Sequence, residues 1–396
     1  MKSYSIAMVA ACPFPVNYGS PAAIRELSET LSEIGHEIHV VTYPDGENLS
    51  VGNAQLHRVS RLGKSSGTQV GPSTQKFVLD FLLLIKLCQV VWRQKIDIIH
   101  AHNYEGGLAG VLAKLVTRKP LIYNSVNLMS EELASYAFFK PAFMARWVAA
   151  ILDWFMPIFP DHIVTVTPDL YDWYIKHGIS PKRLTMVPCG VRPAMFDRAD
   201  PSKFLAKYSV GSRPVIMYTG IHNAFQRVDY LLRAFSVVLK EEPSALLMVV
   251  SPITNEPNFP VNMELAKSLG ISDNVIFIGP HELEELPDYL AMATVTVVPR
   301  PECNGHPIKL LNYMMAGKPI VCFAAAAKGV QHLHDALIVP NHDLQKMGEA
   351  ILTLLRDPAL AKRLGANARE TVLNNFDWQI LAKKIEAIYD EFLLER

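Results

Sequence analysis

Only five cysteines occur in the 396 residues, Cys12, Cys88, Cys189, Cys303 and Cys322, and no two form a C-x-x-C pair. An odd, scattered set excludes a disulfide framework and a thiolate zinc site, and it suits a reducing compartment. Charge of one sign is also missing, since Lys plus Arg and Asp plus Glu both total 38. A large basic face for nucleic acid is therefore not expected. No apolar run reaches the roughly 18–20 residues that span a bilayer. Asp80 and Lys86 break the stretch 77–92, while Lys140, Arg146, Asp153 and two prolines interrupt 138–159. The short apolar run at 5–11 leads into a Pro/Gly loop rather than a cleavage site, so it reads as a buried first strand. No D-x-D metal motif lies in a suitable loop. The expected location is the cytoplasm.

What is present is alternation. Half of the residues are apolar, and the length predicts two domains. Strand patterns at 5–11, 37–43, 96–102, 120–126, 162–167 and 184–189 alternate with helix patterns such as 21–36 and 105–116. After a polar, Pro-bearing stretch at 192–208 the alternation restarts, with strands at 214–220, 245–251, 274–279, 293–299 and 319–323. Continuous apolar strands alternating with helices predict parallel sheets covered on both faces, an α/β class. The division predicts an N-terminal domain over 1–195 and a C-terminal domain over 196–376, with an amphipathic helix at 377–396 packing back onto the first. In such folds ligands bind beyond the carboxyl ends of the strands.

Four of those loops carry candidate residues. Gly19 and Ser20 precede a helix with Pro21 near its start, a turn that suits an anion or an ordinary strand-to-helix connection. His100 and His102 share one side of a strand, with His102 last, at the rim. It is read as substrate-facing and His100 as structural. Beyond Gly220 come Gln226 and Arg227, the latter either a bidentate phosphate ligand or a solvated surface residue. The fourth loop reads RPECNGHPIKLLNYMMAGKP, residues 300–319. Pro307 is expected as the first residue of a helix whose stripe is Leu310, Leu311, Met314 and Met315. Asn304, Gly305, His306 and Ile308 surround that start. Lys309 opposes the helix dipole there, a conflict that a bound phosphate removes, the alternative being a solvated lysine.

The order of GHEIHVVT (35–42), DIIHAH (97–102), VPCGV (187–191), YTG (218–220) and GHPIKLLNYMMAGKPIV (305–321) resembles the nucleotide-sugar glycosyltransferases of family 4. That resemblance covers nearly the whole chain. It implies a GT-B fold, two facing Rossmann-like domains with a cleft between them, and retaining transfer from a nucleotide diphosphosugar without a metal or other cofactor. His102 is then the catalytic residue that orients the donor sugar. The family's Glu–seven residues–Glu pair falls on Asn304 and Asn312, amides that keep hydrogen bonding and lose charge. Glu302 stands close enough to replace the first carboxylate. The family's diphosphate-holding Arg and Lys fall on Ile221 and Gln226, which leaves Arg227 and Lys309 as the available cations.

The resemblance implies a glycan, lipid or small-molecule acceptor bound through the idiosyncratic region 127–159. Within it, aromatics mixed with Lys140 and Arg146 suit peripheral contact with the inner face of a membrane, or else a core helix. The competing readings are a non-catalytic sugar-nucleotide-binding partner subunit and a GT-B epimerase or phosphorylase.

Overall fold

A computed structural model describes residues 2–17, 19–61, 74–132, 142–303 and 305–394. Asn304 and the aromatics Phe138 and Phe139 lie outside the described residues. The chain forms two compact units, Met1–Cys189 with Trp378–Arg396, and Gly190–Asp377.

The first unit runs β1 (Ser5–Ala10), α1 (Gly19–Glu33), β2 (Glu37–Thr42), β3 (Gln55–Arg58), α2 (Thr74–Arg93), β4 (Ile98–His102) and α3 (Asn103–Thr117). It continues with β5 (Leu121–Ser125), α4 (Met129–Glu132), α5 (Ala142–Phe155), β6 (His162–Thr165), α6 (Pro168–Lys176) and β7 (Leu184–Met186). These strands form one parallel sheet in the order β3-β2-β1-β4-β5-β6-β7. Both faces are covered, as the continuous apolar strands require. One core lies under α2, α3 and α6; the other lies under α1 and a helix from the C-terminus. The Gly106-Gly107 pair lets α3 sit down on the sheet, since a Cβ at Gly107 would come 2.4 Å from Met156 Cε and 2.7 Å from the Tyr123 ring.

The second unit holds α7 (Ser202–Lys207), β8 (Val215–Thr219), α8 (Val228–Glu241), β9 (Leu246–Val250), α9 (Asn258–Ser268), β10 (Val275–Ile278) and α10 (Leu286–Met292). There follow β11 (Val295–Val298), α11 (Ile308–Met315), β12 (Ile320–Phe323), β13 (Leu337–Val339), α12 (Leu344–Arg356) and α13 (Pro358–Asn375). Its parallel sheet has the order β10-β9-β8-β11-β12-β13. The order reverses direction at β8 and β11, the switch point where doubly wound sheets place ligands. Finally α14 (Trp378–Leu394) returns to the first unit, burying Leu381, Ile385 and Tyr389 in the core beneath α1. Its Tyr389 hydroxyl lies 2.6 Å from His100 Nδ1.

Several boundaries differ from the sequence patterns for local reasons. Helix α1 begins at Gly19 rather than at residue 21, because Gly19 takes φ +64° and Pro21 is tolerated in a first turn. Helix α9 starts three residues before the apolar pattern at 261, running through Pro260 in its first turn. Helix α11 starts one residue late: Pro307 is the N-cap, with extended backbone at ψ 99°, and Ile308 is the first helical residue. Strand β7 stops at Met186, two residues before Pro188, which cannot donate to a ladder.

Candidate functional site

The carboxyl ends of β8 and β11 and the start of α11 gather one set of polar groups in the second unit. Tyr313 on α11 fixes their register, because its hydroxyl accepts from the Thr219 backbone N–H at 2.8 Å. The Tyr218 hydroxyl folds the next loop back by donating to the Ile221 carbonyl at 2.8 Å. Gly220 between them has φ +130°, which only glycine adopts readily, and a Cβ there would stand 2.7 Å from Lys309 Nζ.

Lys309 crosses this turn. Its Nζ donates to Gln226 Oε1 at 2.9 Å and lies 3.8 Å from the centre of the Tyr218 ring, a cation–π contact. Burial, and then the neighbouring Arg300 guanidinium, push the amine well below the usual lysine range. A mostly buried ammonium held by one neutral acceptor and one ring face is a cation without a full counter-charge. Arg300 leans over the Phe225 ring at 4.9 Å, and its buried Nε has no hydrogen-bond partner among the described residues. Glu256 is the nearby carboxylate, and it accepts from the His222 backbone N–H. Burial holds its carboxyl above the ordinary range. The N-cap Pro307 offers the first N–H groups of α11 no side-chain cap. Together these groups form an electropositive turn with unused donors, the chemistry of an oxyanion site.

The remaining candidates divide. Gln226 is buried and belongs to this cluster through Lys309 and Tyr218. Arg227 does not: its fork is spent on Asp229, with Nε–Oδ1 at 2.9 Å and Nη2–Oδ2 at 2.8 Å, and its guanidinium lies 3.4 Å from the centre of the Tyr230 ring. A phosphate at Arg227 would compete with that carboxylate for the guanidinium. Glu302 is exposed, while Asn312 is half-buried on α11, one turn beyond Lys309. The Gly305 carbonyl accepts from Cys303 Sγ at 3.2 Å, which shapes the loop. Both ring nitrogens of His306 are buried without a partner among the described residues, and burial takes its pKa down to about 4. Ile308 opens α11. Arg300 was not singled out from the sequence, although it is the second position beyond β11, in a loop where a ligand-facing cation is expected.

In the first unit His102 ends β4 and is the N-cap of α3. It is 1 % exposed, so it does not project from a rim into solvent. Its ring stacks on His100 at 4.4 Å, and Asn124 Nδ2 lies 3.1 Å from Nδ1. Burial pushes its pKa down to about 3, which keeps the imidazole neutral. Nε2 is buried and without a partner among the described residues. Gly19, exposed, and Ser20, half-buried, start α1. No group of three His, Cys, Asp or Glu is arranged to hold a metal ion among the described residues.

Family models match both units: "Glycosyltransferase Family 4" over residues 19–194 and "Glycosyl transferases group 1" over residues 213–357. The chain belongs to glycosyltransferase family 4. Among curated relatives, the D-inositol 3-phosphate glycosyltransferase of Streptomyces bingchenggensis is 26% identical over 312 residues, 74% of this chain and 66% of that protein. The chain thus spans just under two thirds of that relative's length. Among solved structures, sucrose-phosphate synthase from Thermosynechococcus elongatus superposes with TM-score 0.82 at 20% identity, covering 99% of this chain and 100% of that one. Anabaena HepE in complex with UDP and glucose gives TM-score 0.78 at 16% identity, over 97% and 99%. The fold is GT-B. Among the described residues no helix is long and apolar enough to cross a membrane.

Proposed function

We propose that the protein transfers a sugar, with retention of anomeric configuration, from a nucleoside diphosphosugar to a glycan or lipid-linked hydroxyl. The observation that carries this reading is the Lys309 amine, 2.9 Å from Gln226 Oε1 and pressed against Gly220. Gln226 falls where the family's diphosphate lysine stands. Here a lysine on α11 brings its ammonium to that same place from the other side of the turn.

In the reaction the bond between the anomeric carbon and the diphosphate oxygen breaks, and the electron pair leaves with the diphosphate. The acceptor hydroxyl supplies the new bond to carbon and gives up its proton. The products are the glycoside, the nucleoside diphosphate and one proton. Charge grows on the leaving diphosphate, where Lys309, Arg300 and the uncapped N–H groups of α11 stabilise it, an electrostatic contribution of the kind that dominates many active sites. His102 serves the donor sugar as a neutral hydrogen-bonding group through its free Nε2. Asn312 takes the nucleotide ribose through its amide, and Asn304 and Gly305 the sugar side of the loop. The reaction as written needs no metal. The UDP in the HepE structure makes uridine the first base to test.

The amide at Asn312 favours a second reading, a sugar-nucleotide-binding subunit without turnover. Incubation with labelled UDP-, GDP- and ADP-sugars separates the two. Release of nucleoside diphosphate, with label moved to water or acceptor, is the expected result. Tight binding without hydrolysis or transfer supports the subunit, and exchange of the sugar's configuration supports an epimerase.

On the acceptor side we place the protein at a membrane surface, peripheral to the inner leaflet. Trp147, Trp154 and Phe155 on α5 are 69 %, 62 % and 49 % exposed, where a core helix would bury them.

A further inference from the structure

A crossover helix on a parallel sheet normally has one apolar stripe, facing the strands, and a polar outer face. Helices α2 and α3 have two apolar stripes. On α2 the inner stripe is Leu79, Leu83 and Leu87, all buried. Phe77, Phe81, Ile85 and Trp92 recur along its opposite side and are 70 %, 61 %, 40 % and 60 % exposed. On α3, Leu108, Leu112, Leu115 and Val116 form an outer stripe, with Leu115 66 % exposed. The α5 aromatics lie on the same side of the sheet, because Met156, just beyond α5, packs under α3 against Gly107.

Contrast the other side of the same sheet. There α14 turns Lys383 and Lys384 outward and buries Leu381, Ile385, Ile388 and Tyr389, leaving Ile380 and Leu394 exposed. The exposed apolar residues are therefore concentrated on the α2–α3–α5 side.

Exposed cations gather at one end of this face. Both α2 and α3 run back along parallel strands, so their C-terminal ends collect at one end of the unit. Arg93, Lys95 and Arg118 are exposed there, with Lys119 next to them. Within α2, α3 and α5 each described carboxylate has a partner. Asp80 accepts from the Tyr43 hydroxyl, Glu105 lies 3.6 Å from Lys76, and Asp153 accepts from the Met129 and Ser130 backbone N–H groups. Asp161 holds Lys114 at 2.8 Å.

We propose that the outer face of α2, α3 and α5 is the surface by which the protein docks on an anionic lipid bilayer. The inference deepens the peripheral reading above by assigning the contact to three helices rather than to the segment 138–159. Tryptophan and phenylalanine enter the headgroup boundary, and the cations at the helix ends meet lipid phosphates. Exposed apolar residues recurring along three neighbouring helices are of the kind that marks a protein or membrane contact. The unbalanced cations select an anionic sheet over a second copy of this chain, whose identical face would set like charges together.

The test is flotation of the full chain with vesicles of phosphatidylglycerol plus phosphatidylcholine, and of phosphatidylcholine alone, at low and physiological salt. The protein is expected to float with the anionic vesicles and to bind less as salt rises. A double variant Phe81→Ser with Leu115→Ser leaves α5 intact and alters two exposed positions, so its melting curve should match wild type. Its partition should fall by about 100-fold, roughly tenfold for each large apolar side chain lost. Arg118→Glu should weaken binding by at least about fivefold, and only on the anionic vesicles. Three results overturn the proposal: no flotation with either vesicle, wild-type flotation of the double variant, or a dimer by light scattering that the double variant dissolves. Partition is measured without substrate, so failure here leaves the sugar-transfer reading standing.

Discussion

Lys309→Met removes the amine that the donor-site reading depends on and keeps the length of the side chain. A charge-assisted hydrogen bond to a buried partner contributes about 1.5–3 kcal/mol, so the affinity for UDP, or for whichever nucleotide binds best, should fall by roughly 10- to 150-fold. Stability should move the other way. The ammonium is mostly buried with Gln226 Oε1 and a tyrosine ring as its contacts, and removing a poorly compensated charge is neutral or stabilising. The linkage has a definite sign. In the free protein burial lowers the Lys309 pKa, so the unfolded chain binds more protons between that lowered value and about 10.4, and wild-type stability rises with pH across the window. A diphosphate beside the amine raises its pKa again, so binding takes up protons and affinity declines as pH climbs from the free to the bound value. Calorimetry in two buffers of different ionisation enthalpy measures that uptake, and thermal melts from about pH 6 to about pH 9.5 measure the stability slope. Unchanged nucleotide affinity in Lys309→Met, with the same proton uptake as wild type, would refute the site.

His102→Gln keeps polar bulk beside Asn124 and should lower turnover by about 10²-fold while nucleotide affinity stays within twofold of wild type; activity and melting temperature falling in proportion would place the imidazole in packing alone. Gly220→Ala puts a methyl group 2.7 Å from Lys309 Nζ at a φ of +130°. It should cost about 1–3 kcal/mol of stability and weaken nucleotide binding together, and a wild-type Kd and melting temperature would show that the turn does not hold the lysine.

The parallel α/β architecture was legible because nearly every strand is buried on both faces and so reads as an unbroken apolar run, as in LLMVV at β9. What escaped was short or at an edge. Strand β3, with the sequence QLHR, pairs only with β2 and has no apolar run. Strand β13 has three residues, too few for a period. At the site, residue identity marked Lys309 and Gln226 as belonging to important loops, but only the fold brings residues 83 positions apart to 2.9 Å. In one dimension Arg227 stood out and Arg300 did not. What separates them in the fold is an aspartate two residues along the helix of Arg227 and a buried, unpartnered Nε on Arg300. The exposed stripes of α2 and α3 were hidden for a related reason. An apolar run such as 77–92 records how much of a helix is apolar, and only the packing separates the stripe that meets the sheet from the stripe left outside.

The two amides and the buried lysine make one electrostatic argument. Position 312 sits three residues beyond Lys309 on α11, on the same face of the helix. A glutamate there, as the family resemblance implies, would lie within reach of the Lys309 ammonium and the Arg300 guanidinium and would neutralise part of their charge before any ligand arrived. Asn312 offers a dipole in its place. The nearby carboxyl, Glu256, is itself held toward its neutral form by burial. Burial therefore disfavours the charged lysine in the unliganded protein, and a diphosphate supplies the missing counter-charge that restores its proton. On the proposed donor-site reading, losing the carboxylate would weaken recognition of the ribose and strengthen attraction for the group that carries the growing negative charge in the transition state. The first effect acts on ground-state binding. The second acts on the step in which the sugar leaves.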